Sequence, residues 1–104
     1  MIKVMSLIKR KEGMSLAEYR KWALEEHPKL ARNIPGMRRY QVDVMVKDDP
    51  ANPFDSVSEM WFDSEEAMAQ AFATDGGKAA GADAAAHASN RVRLVTQEHP
   101  QFGH

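Results

Sequence analysis

Apolar positions alternate along residues 2–9, with Ile2, Val4 and Ile8 on one side and Lys3, Met5 and Leu7 on the other. Apolar side chains fall on both sides of this period-two pattern, which predicts a well-buried strand. The period then changes. Leu16, Tyr19, Ala23, Leu30 and Ile34 recur at helical spacing, and His27 continues their stripe. Ser15 stands where an N-cap belongs, and Glu18 three residues later completes a capping box. Pro28 lacks an N–H and its ring collides with the carbonyl of Leu24, so the helix is expected to kink there or to tighten into its last turns. Pro35 and Gly36 then reverse the chain.

A second strand is predicted over 37–47, with Tyr40, Val42, Val44 and Val46 on one face, followed by a turn-rich stretch over 48–53. The next strand, 54–62, carries Val57 and Trp61 on one face and Met60 and Phe62 on the other. Ser64 caps a second helix whose first turn holds Glu65 and Glu66, suited to the positive end of the helix dipole. Met68, Ala71 and Phe72 form its inner stripe. Thr74 to Gly77 interrupts this helix, an alanine-rich segment resumes over 78–89, and a last strand covers 91–97. The order β-α-β-β-α-β predicts an α+β fold of the ferredoxin-like type. Two helices cover one sheet face in that topology. Apolar residues on the other face need a second cover, and a homodimer built sheet to sheet is the simplest one.

Composition narrows the function classes. The 104 residues, read as one domain over 1–104, carry a net charge of −1 with both signs interspersed. Nothing in that balance suggests a nucleic-acid partner or an anionic membrane surface. There is no cysteine, which removes disulfides, thiolate nucleophiles and thiolate metal sites together. No apolar run is long enough to span a bilayer, and the chain opens on strand residues instead of a signal-peptide core, so a cytoplasmic setting is expected. Metal binding has no ligand spacing such as two histidines four apart on a helix. The Glu98-His99-Pro100 stretch and His104 in the tail are assigned no role.

The remaining chemistry gathers around histidine. His27 lies at a proline-marked helix end, where an imidazole can satisfy a freed carbonyl, compensate the dipole or act as acid and base. Tyr40 follows a short turn later, either as a core aromatic or as a phenol that donates to a developing oxyanion. Asp83 and His87 lie four apart on the alanine-rich segment, where the carboxylate can orient the imidazole of His87. The near absence of bulk along that segment leaves space above the sheet for a ligand. Trp61 and Phe72 are core residues first and pocket-lining residues second.

The combination Ser15, Glu18, His27-Pro28, Ile34-Pro35-Gly36 and Tyr40, with Glu59-Met60-Trp61-Phe62 and then Thr74-Asp75, Lys78, Gly81 and Asp83, resembles the EthD family of dimeric α+β barrels. The resemblance covers nearly the whole chain. It implies sheet-to-sheet homodimers with a ligand pocket between helices and sheet in each subunit, and no cofactor. It also implies kinship with methylmuconolactone methylisomerase, whose pocket histidine and tyrosine match His27 and Tyr40. Met60 stands where that enzyme has a cysteine, and His87 stands where the family pattern has an aromatic residue. The expected site is therefore His27 and Tyr40 for catalysis, with Met60, Trp61, Phe72, Asp83 and His87 binding a small apolar ligand. The expected function is a cofactor-free isomerase or lyase acting on a small carbonyl compound or lactone. The alternative is a non-catalytic ligand-binding or accessory protein of an oxygenase system.

Overall fold

The computed structural model describes residues 1–103; His104 lies outside them. Strands β1 (Ile2–Arg10), β2 (Arg39–Val44), β3 (Ser56–Phe62) and β4 (Ala88–Thr96) form one sheet in the order β2-β3-β1-β4, antiparallel throughout. The fold is α+β and ferredoxin-like. β1 runs through the middle because its apolar residues serve both faces: Ile2, Val4, Ser6 and Ile8 are buried, whereas Lys3, Met5 and Leu7 are half-buried.

The first helix comes in three parts: α1 (Leu16–Lys21), a π-helical turn over Trp22–Glu26, and α2 (His27–Ala31). The capping box forms as the sequence predicts, with Glu18 N–H donating to Ser15 Oγ and Ser15 N–H to the Glu18 carboxylate. At Pro28 the helix widens where tightening was one of the expectations. The His27 N–H reaches back five residues to the Trp22 carbonyl, so the turn before the proline holds one extra residue. That extra residue turns both Trp22 and His27 inward. Gly36, at φ 76°, makes the reversal that a β-carbon would resist.

The second helix is split between α3 (Glu65–Ala73) and α4 (Asp75–Ala86). Thr74 joins them, donating through Oγ1 to the Ala71 carbonyl and accepting the Gly77 N–H. Strand ends differ from the sequence pattern. β2 and β3 are shorter than expected, and Val46 lies beyond β2 almost fully exposed, because its alternation continues into a loop that no partner strand follows.

Strand pairing sets rows across the face that carries the helices. Val95, Val4, Met60 and Tyr40 form one row; Arg93, Ser6, Ser58 and Val42 form the next; Arg91, Ile8, Ser56 and Val44 form the third. The core divides along the same rows. One cluster gathers Ile2, Val4, Ile34, Met60 and Phe62, the other Ile8, Tyr19, Trp22, Ala23 and Ala84. Between them, where the sheet offers the two small side chains Ser6 and Ser58, the packing is interrupted. Among the described residues no helix is long and apolar enough to cross a membrane.

Candidate active site

That interruption is a cavity of about 40 Å³, floored by Ser6 and Ser58 and walled by His27, Tyr40, Met60 and Phe72. Its roof is α4, where Gly77, Ala80, Gly81 and Ala84 stand in place of bulkier residues. A second arm of about 10 Å³ runs toward Tyr19 and Trp22 and shares His27, Tyr40 and Ser58 with the first. Two larger hollows, of about 340 and 380 Å³, lie on the surface beside the loop after β2 and beside α1, and neither touches a histidine or tyrosine. The small cavity holds the chemistry.

His27 enters it from the start of α2, and its orientation is held from behind. Asp83 on α4 accepts from His27 Nδ1 at 2.8 Å through Oδ2, and the same oxygen accepts the Trp22 indole N–H at 3.0 Å. The Trp22 ring lies 4.8 Å from that of His27. In the neutral imidazole a carboxylate partner keeps the proton on Nδ1 and leaves the lone pair on Nε2, which has no protein partner among the described residues. The carboxylate was expected to orient His87. Its neighbour on the helix instead lies 3.5 Å from Oδ1, donates through Nδ1 to the Asp83 backbone carbonyl at 2.7 Å, and stacks on Trp22 at 4.4 Å and 16°. His87 therefore supports Trp22 and does not line the cavity.

Tyr40 faces His27 from the edge strand. Its hydroxyl is the one buried side-chain polar atom without a hydrogen-bond partner among the described residues. An unmatched buried phenol is costly. Burial pushes its pKa up to about 12, helped by Tyr19, which keeps the proton on the oxygen at neutral pH. Tyr19, whose pKa burial likewise raises to about 12, contrasts with it: its hydroxyl is matched by Ser56 Oγ at 2.6 Å.

These are the only two tyrosines in the chain, which makes a direct check available. Absorbance titration of the folded protein is expected to show no phenolate step near the ordinary pKa of about 10, both rings ionising close to 12. The folded pKa lies above the unfolded one, so the unfolded chain loses these protons first. Stability is unaffected by these groups below pH about 10 and falls as pH rises from there through about 12. A phenolate step at the ordinary value would contradict the burial of either ring.

Met60 and Phe72 line the cavity with His27 and Tyr40. Trp61 does not. Register places it on the outer sheet face beside Lys3 and Arg39, with the Arg39 guanidinium carbon 4.5 Å from its ring and its indole N–H donating to Glu98 at 2.7 Å. Alternation along β3 already separates it from Met60 by one residue, hence by a face. Ser6, Ser58, Arg91 and Arg93 also line the cavity and Trp22 its second arm, with no motif to mark them in the sequence. Ser6 carries a signal, as a hydroxyl between Val4 and Ile8 in an inward apolar row; Ser58, between Ser56 and Met60, carries less of one. Among the described residues no three histidine, aspartate or glutamate side chains are grouped to hold a metal ion.

Comparison with known proteins bears on the whole chain. Residues 11–90 match the EthD domain. A solved structure of an EthD family protein from Bacillus halodurans is 30% identical, with a TM-score of 0.80 over 95% of this chain and 99% of that one. A dimeric ferredoxin-like protein of unknown function from Thermobifida fusca is 21% identical, with a TM-score of 0.69 over 90% of this chain and 87% of that one. A hydroxynitrile lyase from Passiflora edulis is 14% identical, with a TM-score of 0.76 over 98% of this chain and 96% of that one; it shares the fold. Among curated proteins, none matches the chain.

Proposed function

The chain belongs to the EthD family, and on that premise we propose that it is a small cofactor-independent enzyme of the isomerase or lyase type. Its substrate is a small carbonyl compound or lactone, largely apolar, on which His27 moves a proton while Tyr40 holds the oxygen. The observation that carries this reading is the pairing, in one cavity, of an unmatched buried phenol with an imidazole anchored at its far nitrogen.

The steps follow from that pairing. Nε2 of His27 takes a proton from the carbon next to the carbonyl, and the electron pair left behind moves onto the carbonyl oxygen as an enolate. The Tyr40 hydroxyl donates to that oxygen, a bond it makes to no group of the described residues in the resting site. The imidazolium keeps its Nδ1–H on Asp83, and Nε2–H then returns the proton to another carbon of the conjugated system, completing an isomerisation. Met60 and Phe72 supply apolar walls, and the cavity of about 40 Å³ limits the ligand to a small body unless Phe72 gives way.

The outer sheet face is read as the seat of a second protomer. Val92 and Leu94 are exposed on it, at 38% and 46%, beside Met5, Leu7 and Val57. A dimeric relative of the same fold supports this reading.

The test uses α-angelica lactone, a five-carbon unsaturated lactone with an acidic ring position, in deuterated buffer. Proton NMR is expected to show the protein accelerating loss of the ring proton over buffer alone. Tyr40→Phe, which removes only the donor, is expected to slow that exchange roughly 10²–10³-fold. A wild-type rate equal to buffer, with the lactone nevertheless bound, would favour the ligand-carrying alternative.

A further inference from the structure

The helix-facing side of β4 carries two guanidinium groups where an edge strand next to a core ordinarily offers apolar side chains. Arg91 and Arg93 are two residues apart on one face, and both line the cavity that holds His27 and Tyr40. Both residues are exposed, at the open edge of the cavity. The Arg93 guanidinium carbon sits 4.4 Å from the centre of the Phe72 ring, and Arg91 Nη1 donates to the Gly81 carbonyl at 3.2 Å. Both arginines are thus folded back over the sheet against the two halves of the second helix.

No acid answers them. Every carboxylate near a cation in the described residues pairs with Lys3, Lys9, Arg10, Arg38, His27 or His87, and none with Arg91 or Arg93. Burial, and after it the neighbouring charge of Arg91, lowers the pKa of Arg93. The two like charges repel one another, and water at this exposed edge screens part of that repulsion. Two planar forks aimed over one small cavity fit a planar, two-oxygen anion.

Register gives the span. Arg93 belongs to the row of Ser6 and Ser58, the cavity floor, and Tyr40 to the adjacent row on the far edge strand. Three strand spacings separate β4 from β2, roughly 14 Å between backbones, and side chains from both edges reach inward over the serines. A ligand lying on Ser6 and Ser58 meets the arginines at one end and the His27–Tyr40 pair at the other. Neither serine hydroxyl has a side-chain partner among the described residues, so both are available beneath it.

We infer that the substrate of this cavity carries a carboxylate, held at the β4 rim by Arg91 and Arg93, which presents its carbonyl end to His27 and Tyr40. This rests on the reading of the cavity as the ligand site and adds the ligand's charge and its direction of binding.

The test is a matched pair of probes, benzoate and the nearly isosteric neutral benzamide, titrated into the full chain while the amide and indole N–H signals are followed by NMR. Trp22 reports on the cavity through its indole bond to Asp83. Wild type is expected to bind benzoate about tenfold to a hundredfold more tightly than benzamide, the range of charge-assisted hydrogen bonds. In Arg91→Gln/Arg93→Gln the preference is expected to vanish, with benzamide affinity unchanged. Added salt is expected to weaken benzoate and leave benzamide alone, which tests the charge without any variant. Benzamide shifting the Trp22 and His27 signals as readily as benzoate would overturn the carboxylate inference and leave the cavity a ligand site. A benzoate preference that survives in the double variant would overturn it too, by moving the anion contact elsewhere, as to His27. Silence of the cavity signals toward both probes would remove the inference together with the site.

Discussion

His27→Ala is expected to slow lactone proton exchange roughly 10²–10⁴-fold, the usual contribution of a positioned acid or base. The loss follows from the division of labour on the ring: Nδ1 is taken by Asp83 and Nε2 is the nitrogen left to the cavity. His87 cannot replace it, because it is turned to the Asp83 backbone carbonyl and stacked on Trp22. The fold is expected to survive. Asp83 keeps the Trp22 indole as donor at 3.0 Å, so the cost of the missing imidazole is near the low end for a lost buried partner, about 1 kcal/mol. His27→Gln separates the two effects further, since its amide can still donate while lacking a base. Thermal melts, and sedimentation matching that of wild type, check that rate, and not folding, has changed. A purely structural histidine would give the opposite pattern, a lower melting temperature with exchange intact.

Gly77→Ala is expected to be the most damaging small change to stability. A β-carbon there would overlap the Ala71 carbonyl oxygen and lie 2.7 Å from the Phe72 Cα and 2.9 Å from its carbonyl carbon. All three are backbone atoms, so relief requires α3 and α4 to separate where Thr74 ties them together. Overpacking of this kind costs about 1–3 kcal/mol or more, and in a domain of this size each kcal/mol lowers the melting temperature by about 4–8 °C. Phe72 would move with the backbone, and Phe72 lines the cavity. Gly81→Ala is the control on the same helix. Among the described residues nothing lies within 4 Å of its β-carbon, so the better helix former is expected to raise stability by up to about 1 kcal/mol while filling part of the roof. Calorimetry at one protomer concentration reads both.

The two substitutions also mark what was legible in the sequence. The capping box at Ser15, the cap at Ser64, the break at Thr74 and the order of elements are local signals, carried by neighbouring residues, and they place α4 over the sheet. Which side chain of α4 meets which side chain of α2 is a different matter. Asp83 and His87 share a helix face and read as a pair, yet Asp83 Oδ2 is spent on His27, 56 residues away, because the π-helical turn before Pro28 rotates the imidazole toward α4. The width of a helical turn is not written in an apolar stripe.

Trp61 is the opposite case: period-two alternation alone places it across the sheet from Met60, on the outer face with Lys3 and Arg39. Arg91 and Arg93 could have been found by the same alternation, as two cations on the side of β4 that the topology turns toward the helices.

The account's central claim, that His27 is the acid and base of this cavity, is tested most directly by chemical rescue. Lactone proton exchange is measured in His27→Ala with and without added imidazole, which can occupy the space the side chain leaves beside Asp83. The claim predicts that exchange is lost in the variant and partly restored by imidazole, with less restoration in His27→Ala/Asp83→Asn. Exchange in His27→Ala as fast as in wild type, before any imidazole is added, would contradict it.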